Sequence, residues 1–95
     1  MPEENKVKRN WIERMVDIFH KLELNTLYTI TDIRKMLRTQ CNDAISLPTA
    51  KRLIFAIINA QESGFQFIRN NKLKKMIEKK TVNEVSLFEL IEINL

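Results

Sequence analysis

Thr49, Arg52, Ala56 and Asn59 recur at i, i+3, i+7 and i+10, the spacing that lines side chains along one face of a helix. These residue types can read base edges. Arginine can pair bidentately with guanine and asparagine with adenine, while a threonine methyl or an alanine can touch the thymine methyl. Lys51 flanks the stripe and suits a phosphate, and Ser46 to Thr49 would add backbone N–H donors at the helix start. Further on, Arg69, Lys72, Lys74 and Lys75 crowd into one short segment suited to phosphates, with Lys79 and Lys80 beyond.

Catalytic chemistry needs nucleophiles, acids, bases or metal ligands in clusters, and this chain has one His, one Cys and one Gly. His20 falls away from the face set by Trp11, Met15, Phe19 and Leu22 and reads as a surface residue. Cys41 lies in a polar stretch and reads as an exposed thiol, with nothing to orient a Cys41–His20 dyad. One cysteine rules out an internal disulfide and a thiolate metal site, and one glycine rules out a Gly-rich phosphate loop. Glu3 and Glu4 read as helix-start charges. The residues point away from an enzyme, and neither a metal nor another cofactor is expected.

The net charge of +4 is unevenly spread. Residues 1–33 sum to −1, residues 34–80 to +8 and residues 81–95 to −3. A one-sign cluster of this kind raises the local concentration of a polyanion, although a solvated basic surface would look the same.

The elements that must position these groups belong to one domain spanning residues 1–95. The chain is 44% hydrophobic and 29% charged, enough apolar content for a packed core. One Gly and two Pro favour helices joined by short connections. The longest apolar run, Leu53 to Ile58, is far short of the ~20 residues that span a bilayer. The first 20 residues also lack a signal-peptide core. No membrane association is expected, and the reading is of a cytoplasmic protein, or a nuclear one in a eukaryote.

Pro2-Glu3-Glu4 starts a first helix over about 4–22, with Trp11, Met15, Ile18, Phe19 and Leu22 on its apolar face. Leu27 to Ile30 suits one small strand. A second helix over about 31–39 is capped by Thr31 or, through the Thr29–Asp32 spacing, by Thr29; it buries Ile33, Met36 and Leu37. Gln40 to Ile45 is turn-like. Ser46 caps a third helix over about 47–63, with Pro48 in its first turn and Ala50, Leu53, Ile54, Ile57 and Ile58 inward. Gly64 ends it in the left-handed conformation, with Phe65 folding back.

Phe65 to Arg69 then alternates with period two, and Asn70-Asn71 can adopt the positive φ of a tight turn. Lys72 to Ile77 reads as a returning strand with Leu73, Lys75 and Ile77 on one side. The helix-forming residues of Lys72 to Lys80 keep a helix in view as a close second. The tail from Val85 also reads two ways. Ser86 to Glu89 matches a capping box, whereas Val85, Leu87, Glu89, Ile91 and Ile93 alternate like a strand.

The segment Tyr28 to Ile33, followed by Leu47-Pro48-Thr49-Ala50-Lys51-Arg52-Leu53-Ile54 and ending at Gly64-Phe65, resembles winged helix-turn-helix DNA-binding domains over roughly residues 28–78. It is more loosely similar to small excisionases and regulators of mobile elements. The resemblance implies an α+β, mostly α fold: three helices plus a small β-hairpin wing. Helix 3 would enter the major groove of duplex DNA. Thr49, Arg52 and Asn59 would read bases. Ser46, Lys51, Arg69, Lys72, Lys74 and Lys75 would hold phosphates, with Asn70 and Asn71 at the wing tip. Two departures stand out. The connection between helices 2 and 3 is longer than a tight turn, and Phe55 lies near the reading face, where it needs the wing, a thymine methyl or another subunit as neighbour.

The implied function is sequence-selective DNA binding by a small transcriptional regulator or architectural factor. The chief alternative is a protein-interaction module without DNA, docking through Phe55, Phe88 and Ile91, with Leu87, Leu90 and Leu95 beside them. RNA binding ranks third, because it calls for exposed aromatics that here fall mostly on core faces. A homodimer is expected if binding is specific, through helix 1 or the tail from Val85.

Overall fold

A computed structural model describes residues 10–94. The elements run α1 (Trp11–Lys21), β1 (Leu27–Tyr28), α2 (Ile30–Gln40), α3 (Leu47–Glu62), β2 (Ile68–Arg69), β3 (Leu73–Val82) and β4 (Val85–Asn94). The helices pack on one face of a four-stranded antiparallel sheet of order β1-β4-β3-β2.

Each helix begins where a side chain can satisfy the unpaired N–H groups of the first turn. The start read at Pro2-Glu3-Glu4 lies outside the described residues; within them α1 begins at Asn10, which forms a reciprocal capping box with Glu13. Thr29, not Thr31, caps α2. Its hydroxyl accepts from the Asp32 N–H at 3.1 Å, while the Asp32 carboxylate accepts from the Thr29 N–H at 3.0 Å. Ser46 caps α3 as its sequence indicates. At the far end Gly64 takes φ +95°, and the N–H groups of Gly64 and Phe65 bond the Gln61 and Ala60 carbonyls, closing the helix in a Schellman motif.

The helical faces interlock as their spacing requires. Ile18, Phe19 and Leu22 meet Ile33, Met36 and Leu37 of α2 and Leu53, Ile54 and Ile57 of α3. Trp11 does not join them: it is 44% exposed in the first turn of α1, beyond the reach of the core. Two polar ties hold the α2–α3 connection. Arg14 clasps the buried Asp43 carboxylate with two bonds of 2.8 and 3.0 Å, and the Arg34 guanidinium donates to the Ile45 carbonyl at 3.1 Å.

The sheet revises the hairpin. Its long arm is β3–β4, paired from Leu73↔Asn94 to Val82↔Val85, and its tip is Asn83-Glu84, with φ of 50° and 66°. These values match the two positive-φ positions of a type I′ turn. Both helical alternatives, over 72–80 and after Ser86, give way to strands, since the alternating side chains bury Ile77, Phe88 and Leu90 against the helices. A turn at Asn70-Asn71 also forms, joining β2 to β3, but without positive φ there. Instead the Asn70 side-chain oxygen accepts from the N–H groups of Lys72 and Leu73, at 3.0 and 2.7 Å.

The apolar docking set read at the tail divides by strand parity. Phe88 and Leu90 are 0% and 1% exposed on the inner face, so neither can meet a partner. Leu87 and Ile91 lie half-buried on the opposite face, and Leu95 lies outside the described residues.

Candidate functional site

The exposed side of α3 is a trough. Along the helix it is lined by Pro48, Lys51, Arg52, Phe55, Ala56 and Asn59. Near the helix start it opens into a hollow of about 540 Å³ bounded by the start of α2 (Thr29–Thr31), Leu47, and Val85 and Ser86 beside the tip of the long hairpin. The two share Pro48, Lys51 and Phe55, so they form one continuous surface with no carboxylate among its lining residues.

Phe55 sets the floor. It is half-buried, and its ring meets the ring of Phe88 edge to face at a centroid distance of 6.3 Å. The hairpin is thus the neighbour that Phe55 requires. The Lys51 and Lys79 ammonium groups lie 6.0 and 5.5 Å from the same ring. Both distances are within cation–π range, which holds two positive charges beside the trough.

Of the base-reading stripe, Arg52, Ala56 and Asn59 lie together on this surface, and Lys51 joins them. Thr49 does not. It is half-buried, and its hydroxyl accepts from Ser46 at 2.9 Å. The Ser46 hydroxyl is itself engaged in capping, accepting from the Thr49 N–H at 3.2 Å. These two side chains thus bond each other at the helix start, with Ser46 as the cap, and Thr49 lies off the surface that holds Arg52, Ala56 and Asn59.

The second basic cluster lies elsewhere. Arg69 and Lys74 stand directly opposite each other across β2 and β3, and Lys72 is exposed on the turn between the strands. Lys74 and Lys75 line a small hollow of about 90 Å³ with Gln61 and Gly64, at the C-terminal end of α3. From Lys74 to the hairpin tip at Val82 is ~27 Å at strand rise. The cluster therefore flanks the end of α3 and is not the arm beside its start. The cation that the long hairpin brings to the trough is Lys79, a position that sequence reasoning left outside the site. The signal for it was present, because Lys75, Ile77 and Lys79 share one parity of a strand.

Lys80, of opposite parity, is engaged on the outer face. Its ammonium lies 2.6 Å from Glu89, and this hydrogen bond and the Glu89 charge hold its pKa above the usual lysine range. His20 is exposed. Cys41, read as an exposed thiol, is half-buried and packs against the core, which corrects that reading. No helix among the described residues is long and apolar enough to cross a membrane. No known protein family, curated protein or solved structure matches the chain.

Proposed function

We propose that this chain is a winged-helix domain that binds duplex DNA, with α3 in the major groove and the β3–β4 hairpin as its wing. The element order and the pairing of β1 with β4 suit that architecture. The observation that carries the reading is the co-location of Lys51, Arg52, Ala56 and Asn59 on one exposed, acid-free surface of α3. Arg52 and Asn59 are the base readers, and Lys51 and Lys79 take phosphates on either side. Arg69, Lys72, Lys74 and Lys75 take phosphates beyond the end of the helix. Transcriptional regulation or architectural control is the corresponding biological role.

A fluorescence-anisotropy titration against random duplex DNA over a salt series tests this. Affinity should fall steeply with salt and weaken on Lys51→Ala, because the phosphate term dominates non-specific binding. The absence of binding at low salt would sink the reading. The apolar floor of Pro48 and Phe55 favours a second reading, an acidic protein partner on the same trough. Such a partner would bind with a shallower salt dependence.

A further inference from the structure

Phe65 is 56% exposed, and both its backbone and its ring are held in place. Its N–H bonds the Ala60 carbonyl at 3.0 Å in the turn that closes α3. The ring meets Phe67 edge to face at a centroid distance of 4.7 Å, and Phe67 stacks in turn on the buried Phe19 at 5.1 Å. An edge-to-face contact covers at most one face of a ring, so Phe65 keeps a face for another planar group.

A single exposed aromatic is ordinary on a protein surface. The setting of this one is not. Phe65 shares the small hollow at the end of α3 with Lys74 and Lys75. Arg69 stands directly opposite Lys74, and Lys72 is exposed on the turn between their strands. Two acids flank the cluster, Glu62 in the last turn of α3 and Glu92 opposite Lys75. The four cations outnumber them, and among the described residues no ion pair ties any of the four.

Duplex DNA can use these cations but not the ring, because its bases already stack on one another. An unpaired base has its faces free, and single-strand sites combine aromatic platforms with cationic grooves. Phe65 escapes the core faces on which most of the aromatics fall. We infer that Phe65 with Arg69, Lys72, Lys74 and Lys75 forms a site for single-stranded nucleic acid. One unpaired base stacks on the Phe65 ring, and the cations hold the flanking phosphates. The site lies at the opposite end of α3 from the hollow at its start, and the trough takes no part in it.

Anisotropy titrations of the full chain at low salt test this with labelled poly-dT and poly-U strands of about twelve nucleotides and a blunt duplex beside them. The strands should bind, and the tighter of the two identifies the natural backbone. Phe65→Leu keeps an apolar side chain without the ring. It should weaken strand binding by about tenfold and leave duplex binding within about twofold. Phe65→Tyr should bind as wild type does. Lys72→Ala should reduce the slope of log K against log salt for the strands by about 0.7. In the wild-type chain the Phe65 ring protons should move upfield on strand binding, as a stacked base requires, which decides the matter if Phe65→Leu fails to fold. Duplex binding in the same series bears on the trough alone. Strand binding that neither depends on the ring nor moves its resonances overturns the inference. So does the absence of strand binding, in which case capture of poly-glutamate would assign the cluster to an acidic protein.

Discussion

The side-chain amide of Gln61 and the main chain of Ile77 exchange two hydrogen bonds of 2.9 Å each. β2 pairs with β3 only at Lys74 and Lys75, so the outward N–H and C=O of Ile77 have no strand beside them. The α3 side chain takes that strand's place. Gln61→Ala should cost about 1–3 kcal/mol, because partly buried main-chain groups lose their partners. A lowered urea midpoint would register the loss, and faster amide exchange at Ile77 would locate it.

The Arg14–Asp43 clasp ties α1 to the α2–α3 connection through a carboxylate that is only 7% exposed. Arg14 retains 21% exposure, so water moderates the pair. Asp43→Ala should destabilise by about 1–3 kcal/mol, the usual cost of stranding a charged hydrogen-bond partner. The double variant with Arg14→Ala should lose less than the two single losses combined. Chemical denaturation of the four proteins measures this coupling, and strict additivity would remove it.

Glu84 sits at φ 66° in the hairpin tip, where only glycine and, to a degree, asparagine are at ease. Glu84→Gly should therefore stabilise the hairpin by about 1 kcal/mol, read as a higher melting temperature. Gly64→Ala is the converse. Nothing lies within 4 Å of an added Cβ there, so a loss of about 1 kcal/mol would come from the φ of +95° alone.

Lys79 and Lys80 are neighbours in sequence with opposite assignments. Lys79→Ala should weaken binding to duplex DNA and reduce the slope of log K against log salt by about 0.9, one phosphate's share. Lys80→Ala should leave that slope nearly unchanged. Lys80 instead adds stability at ordinary pH. Its pKa is raised in the folded state, so the contribution is complete below the ordinary lysine value of 10.5 and disappears as pH climbs through the higher folded value. Alkaline unfolding of Lys80→Met beside wild type checks this: the two curves should converge at the most alkaline pH.

The helical half was legible because its signals are local. Ser46, Pro48 and Gly64 bound α3 by capping chemistry within one turn, and the 3–4 spacing of Leu53, Ile54 and Ile57 gave its inner face. The choice between Thr29 and Thr31 was also local, and the Thr29–Asp32 spacing held the answer. The hairpin was less legible. Val82-Asn83-Glu84-Val85 turns without a glycine, while Asn70-Asn71 offers a more obvious turn nearby. The lysines of β3 favour a helix by intrinsic propensity, and burying Ile77 opposite Leu90 overrides them. The candidate site inherits that difference. Arg52, Ala56 and Asn59 followed from helical periodicity, but placing Lys79 at the trough required knowing which strand runs beside α3.

Past Ile77, the margin of β3 facing away from β4 has no neighbouring strand among the described residues. A strand margin of that kind is a template on which another chain can polymerise, and lysines are a common guard against it. Lys79 and Lys80 stand at that margin, so the charges assigned here to a polyanion and to Glu89 also protect solubility. Replacing both with valine would leave a stretch from Met76 to Val85 short of charge and rich in β-formers. The expected outcome is thioflavin-positive fibrils at concentrations where the native chain stays clear.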